Sequence, residues 1–333
     1  MEPALLAVRA EAGKNLFTWI SYHGFLTLRA VKLAIRLMAC GISLLPLGTC
    51  LAADDASVDR LIKKLPPPEK LVKQSASQTS QAADPALKDP LLTYAITAAM
   101  MRNFSQARSY SRKLSERYPH SAVAAIFWGN CAYHARYYAE AAGAIRKALA
   151  LAPHDAYTWM DLAIIENAMG HVAAALNAMV KAAQLSPNDG DLAAVLGFSY
   201  INLNRVPQAI PPLQRAAKLL PRDYLVQSQL GYCLLVTNQT NTAIGYLQKG
   251  ATLNSRYGPV WEHLGVAYKK QGRSRDAVSA LEKATRLLPS SPLAWRHLAE
   301  AYQATGRSAE AQRAAARAQQ LGSAAPKAHK KKA

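Results

Sequence analysis

The sequence predicts an all-α fold, a solenoid of helix hairpins. Three observations carry that reading: an internal period of thirty-four residues, a helical apolar stripe within each period, and small residues where two helices must touch. Stepping by thirty-four from Ala277 reaches Ala107, Ala141, Ala175, Ala209, Ala243 and Ala311, every one alanine. The same step from Pro289 gives Pro119, Pro153, Pro187 and Pro221, with Ser255 and Ser323 as departures. From Leu264 it gives Leu162, Leu196, Leu230 and Leu298, with Trp128 and Tyr94 upstream. Beside that column Gly129, Ala163, Gly197, Gly231, Gly265 and Ala299 are all small, which lets the first helix of each hairpin approach the second.

The clearest repeat reads GPVWEHLGVAYKKQGRSRDAVSALEKATRLLP, from Gly258 to Pro289. Trp261, Leu264, Gly265 and Tyr268 fall at i, i+3, i+4 and i+7, one stripe of a first helix. Gly272 supplies the permissive residue of the turn, Ala277, Leu281 and Ala284 mark the second helix, and Pro289 closes it. At these positions the stretch resembles the tetratricopeptide repeat (TPR) consensus. The resemblance implies a right-handed superhelical α-solenoid of TPR hairpins.

From the N-terminus, residues 1–53 read as an export signal. Arg29, Lys32 and Arg36 precede an uncharged run from Leu37 to Ala53, broken by Pro46 and Gly48, and Asp54 and Asp55 follow. Cleavage after Ala52 or Ala53 fits this pattern; as a membrane anchor, seventeen residues with a proline and two glycines make a poor span. Leu47-Gly48-Thr49-Cys50 resembles a lipobox, with Thr49 departing from the usual Gly or Ala, so Cys50 is a candidate lipid anchor. Residues 1–28 are unusual ahead of a signal, which places the expected true start near Val31. Residues 54–87, with LPPPEK and a Ser/Gln/Ala-rich run, read as a flexible linker.

The repeats follow. Residues 88–121 form a degenerate repeat or N-terminal cap, keeping Ala107 and Pro119 but carrying Ala95 and Ala98 where Gly and Tyr are expected. Full repeats span 122–155, 156–189, 190–223, 224–257 and 258–291, and the last runs over 292–322. In 190–223, Pro207 suits a helix start, whereas Pro211 and Pro212 fall inside the second helix and should distort or shorten it. The final helix, from Ser308, is polar, as suits an end face. Residues 323–333, with four lysines and no acid, read as a basic disordered tail.

With 333 residues the chain is basic, at a formal net charge of +19, yet only 18% of it is charged. Cys40, Cys50, Cys131 and Cys233 show no metal-ligand spacing. Cys131 and Cys233 occupy one repeat position three repeats apart, too far for a disulfide, and read as buried thiols. No HExxH, phosphate loop or GxSxG occurs, and the repeats, linker and signal use up the chain. No enzyme activity, cofactor or metal is therefore expected. His263 and His297 share a repeat position and could face one another, but without a third ligand they make no metal site.

In the family that the repeats resemble, the first helices line a concave groove that takes peptide segments. Carried over position by position, the groove falls on Tyr133, Tyr157, Met160, Ile164, Asn167, Phe198, Ile201, Tyr232 and Leu235, apolar and aromatic through the middle. Ile126, Asn130, Asp191, Leu225 and Ser228 belong to the same positions. Glu262, Val266, Lys269, Arg296, Glu300 and Gln303 make its C-terminal end charged. Ile126, Met160 and Ser228 stand where a carboxylate clamp needs lysine, so chaperone-tail binding is not expected. The expected function is a non-catalytic scaffold in the periplasm or envelope, holding a segment of another protein during assembly of an envelope complex. One alternative is a lipid-anchored factor of pilus or secretion assembly. Another is polyanion or nucleic-acid binding through the basic balance, which would weaken steeply with salt. A membrane is reached in this reading only through the signal, a lipid anchor or the basic tail.

Overall fold

The computed structural model describes residues 84–323. The expected export signal, Cys40, Cys50, most of the expected linker and the basic run from residue 324 lie outside the described residues. Within them the chain forms fourteen α-helices and no strand. It divides into two compact units, one ending at Leu185 and the other beginning at Ser186.

The first unit opens with a 3-10 turn, Pro85–Lys88, then three hairpins: α1 (Pro90–Met100) with α2 (Phe104–Arg117), α3 (Ala122–His134) with α4 (Tyr138–Leu151), and α5 (Ala156–Ala168) with α6 (Val172–Leu185). The second unit holds four: α7 (Gly190–Asn202) with α8 (Val206–Leu219), α9 (Tyr224–Val236) with α10 (Thr240–Leu253), α11 (Gly258–Lys270) with α12 (Ser274–Leu287), and α13 (Pro292–Ala304) with α14 (Ser308–Ser323). From α3 to α13 the first helix of every hairpin has thirteen residues, and from α2 to α12 the second has fourteen.

Three devices, each in the thirty-four-residue register, set this geometry. The turn inside each hairpin passes through one left-handed residue: Arg102, Arg136, Gly170, Asn204, Asn238, Gly272 or Gly306, with φ between 57° and 82°. That conformation lets the chain reverse while the last carbonyls of the first helix are still satisfied, as where Tyr137 N–H donates to Ala132 O at 2.9 Å. The turn between hairpins supplies N-caps. Ser121 Oγ accepts from Ala124 N–H, Asp155 from Tyr157, Asp189 from Leu192, Asp223 from Val226, and Ser291 from Ala294. Tyr257, at the same register position, makes no such bond.

The third device is close packing within the hairpin. A Cβ on Gly129 would lie 2.7 Å from Ile145 Cδ1, and one on Gly231 would lie 2.6 Å from Leu247 Cγ. Gly197 and Gly265 meet Leu213 and Leu281 in the same way. Ile145, Leu213, Leu247 and Leu281 are fully buried, so the small column and the aliphatic column interlock as one layer per repeat.

Two expectations are corrected. Residues 84–87, placed in the linker by composition, belong to the fold. Asp84 accepts from Ala86 N–H at 3.0 Å and from Ser121 Oγ at 2.7 Å, and Ala86 is buried with Leu92, Leu114 and Ala124. A capping Asp before Pro85 closes a turn that a composition-based reading passes over. Pro211 and Pro212 do not shorten α8, which keeps its fourteen residues. Their missing N–H groups would have reached the carbonyls of Pro207 and Gln208, both on exposed residues, where water can serve them. Pro211 is itself exposed, and Pro212 is buried beside Leu213 as packing volume.

Candidate partner-binding face

The first helices of the hairpins position the candidate face, and each unit carries its own part. In the first unit Tyr133 projects from α3, and Tyr157, Met160, Ile164 and Asn167 from α5. Tyr133, Tyr157, Met160 and Asn167 are half-buried, accessible along one side. Tyr133 packs edge-on to His134 at 5.3 Å and tilted to Tyr138 at 5.7 Å, which fixes its ring. Asn130 Nδ2 donates to Asp161 Oδ2 at 3.3 Å, joining α3 to α5.

In the second unit Ile201 and Tyr232 are half-buried in the same manner. Tyr232 lies against the His263 ring at 4.8 Å. Lys269 of α11 pairs with Glu300 of α13, and His297 Nδ1 stands 3.6 Å from the carboxylate of buried Glu262. Burial holds the His263 imidazole below its ordinary pKa, with His297 pushing the same way and Glu262 opposing. The two histidines therefore sense one another. The ring partner of His263 is nevertheless Tyr232, and His297 Nδ1 faces Glu262.

Three of the expected groove residues do not line an open face. Ile164, Phe198 and Leu235 are 8%, 7% and 4% exposed and belong to the core. Ile126, Ser228 and Glu262 are also buried. Within each unit the face is also shaped by a cross-helix relation that single-repeat positions do not show. A residue late in one first helix meets the residue thirty-one further on, as Asn130 meets Asp161, Tyr232 meets His263 and Lys269 meets Glu300. The following first helix thus covers part of the face of its predecessor. Asp161, and the pairing of Tyr232 with His263, were missed for the same reason; the i to i+31 offset is the signal that finds them.

Among the described residues no group of three or more His, Cys, Asp or Glu is placed to hold a metal ion. Cys131 and Cys233 are free and buried, and burial raises their thiols to about 11 and about 12.

Two stretches match family models for the tetratricopeptide repeat, residues 95–156 and residues 259–301. The chain carries tetratricopeptide repeats. Among solved structures, this TPR chain is similar to YrrB, described as a TPR protein with an unusual peptide-binding site. Identity is 23%, over 55% of this chain and 95% of that one, at a TM-score of 0.51. A crystal structure of MamA matches at 23% identity over 51% of this chain and 93% of that one, at a TM-score of 0.47. MamA from Desulfovibrio magneticus RS-1 matches at 19% identity over 52% and 98%, at a TM-score of 0.48. At these identities the likeness is one of fold. No curated protein matches the sequence. A TPR scaffold fold suggests protein–protein interaction.

Proposed function

We propose that this TPR protein is a non-catalytic scaffold whose first-helix face binds an extended, apolar or aromatic segment of another protein. One observation carries the reading: Tyr133, Tyr157, Met160 and Asn167 in one unit, and Ile201 and Tyr232 in the other, are held by packing yet half-exposed on the first helices. Pre-ordered aromatic and apolar side chains lose little entropy on binding and suit peptide anchors. The peptide-binding site named for YrrB gives a precedent in the same fold.

The test selects twelve-residue peptides against the full chain and measures their affinity for Met160→Lys and Ile201→Lys, with Arg112→Glu on a second helix as control. Met160→Lys should weaken peptides held by the first unit, or Ile201→Lys those held by the second, at least tenfold, about 1.4 kcal/mol, with the helical spectrum unchanged. Equal affinity for all three variants would reject the face.

We propose further that the scaffold acts in the cell envelope, helping to assemble a complex there; the basic flank and apolar run before Asp54 support this setting. An N-terminal residue of Ala53 or Asp54 on native protein would agree with it, and a chain retaining Glu2 would reject it. Fatty-acid labelling lost in Cys50→Ala would instead mark a lipid-anchored assembly factor.

A further inference from the structure

We infer that the second unit carries a docking surface for an anionic lipid bilayer, formed by one stripe of its second helices and the turns that follow them. At the end of each second helix positions i, i+3 and i+4 share one side, and i+7 falls in the turn that follows. In the hairpin of α8 they are Arg215, Lys218, Leu219 and Arg222. In that of α10 they are Lys249, Thr252, Leu253 and Arg256. In that of α12 they are Lys283, Arg286, Leu287 and Ser290, and α14 adds Arg317. No Asp or Glu stands at any of these positions.

The cations are available. Lys218, Arg222, Lys249, Arg256 and Arg286 are exposed, and among the described residues their side chains make no ion pair or hydrogen bond. Nearby acids are engaged elsewhere: Asp223 caps α9, and Glu282 accepts from Tyr302 Oη at 2.9 Å and pairs with Arg307. Lys283 is the inward member, lying over the Trp261 ring at 3.7 Å. The corresponding positions of the first unit are less charged: Lys113, Glu116 and Arg117 in one hairpin, Lys147 with Ala150 and the exposed Leu151 in the next, and Lys181 with Gln184 and Asn188 in the third, so the cations are densest in the second unit.

The leucines select the partner. Leu219 and Leu253 are 40% and 39% exposed and sit among the unpaired cations in successive hairpins. A soluble polyanion gains nothing from them. A bilayer surface takes both, with the cations on the head groups and the leucines at the acyl boundary. Among the described residues no helix is long and apolar enough to cross a membrane, so the contact would be peripheral.

The test floats full-length protein with vesicles of phosphatidylcholine containing 30% phosphatidylglycerol, and with phosphatidylcholine alone. It compares Lys218→Glu/Arg222→Glu/Arg256→Glu with Arg205→Glu/Arg275→Glu/Arg296→Glu, an equal charge change at exposed positions off the stripe. Both termini stay constant, so differences report the folded unit. The stripe variant should lose on the order of 100-fold in binding to anionic vesicles, and the control less than tenfold. Leu219→Ser/Leu253→Ser should lose roughly tenfold for vesicles while binding heparin as before. Equal loss in both charge variants would reduce the effect to net charge and overturn the assignment. Equal binding to phosphatidylcholine alone would attribute contact to the termini and overturn it too. A leucine variant with undiminished vesicle binding would make the stripe a site for soluble polyanions instead. Any variant that melts more than about 10 °C low is replaced by its Gln counterpart, and the same outcomes apply.

Discussion

At the scale of single residues, side-chain size and backbone conformation carry most of the account. Gly231→Ala should destabilise by about 1–3 kcal/mol, because its Cβ would meet Leu247 Cγ at 2.6 Å in a filled layer. Gly245→Ala, with nothing within 4 Å of the added Cβ, should instead stabilise by about 0.5–1 kcal/mol. Urea unfolding of the two variants checks the pair, and similar effects in both would refute the packing argument. Titration follows from burial. His263 is kept neutral below its ordinary pKa, so the unfolded chain takes up the proton first as pH falls. Its contribution is complete above the unfolded value of about 6.5 and is lost as pH drops through the folded one. Melting temperatures should therefore fall between pH 7 and pH 5, and less steeply in His263→Gln; identical slopes would contradict this. The Gly and Ala columns were readable in the sequence because size is read directly from the residue type. The burial of Phe198, Ile164 and Leu235 was not, because repeat position alone does not fix a side chain's exposure.

At the scale of helices, the caps and turns define each element. Asp223 accepts from Leu225 N–H at 2.8 Å and Val226 N–H at 3.1 Å, so Asp223→Ala should cost about 1 kcal/mol in denaturant titration. Arg136 occupies the left-handed turn position at φ 66° with a full side chain. Arg136→Gly should recover up to about 1 kcal/mol, and a loss would show that the arginine serves the turn in some other way. The turns were readable where glycine marks them, at Gly170, Gly272 and Gly306, and unmarked at Arg102 and Arg136, where the tertiary fit imposes the conformation. Proline inside α8 misled for a related reason: its cost depends on which carbonyls lose a donor, and those of Pro207 and Gln208 can turn to solvent.

At the scale of the molecule, the thirty-four-residue period specifies a run of hairpins from residues that recur, and that much was plain in the sequence. The boundary between Leu185 and Ser186 was not, since the alanine and proline columns pass through it unbroken at Ala175, Pro187 and Ala209. The candidate face was visible as a set of positions, and the burial of Ile164, Phe198 and Leu235 leaves Tyr133, Tyr157, Met160, Asn167, Ile201 and Tyr232 accessible on it. Hydrogen–deuterium exchange of the full chain, with and without a peptide selected against it, tests the central claim most directly. Slowed exchange concentrated in the first helices that carry the face, α3 and α5 in one unit or α7 and α9 in the other, is the expected result. Slowing confined to the second helices α2, α8 and α10 would contradict it and move the binding face to the other side of the hairpins.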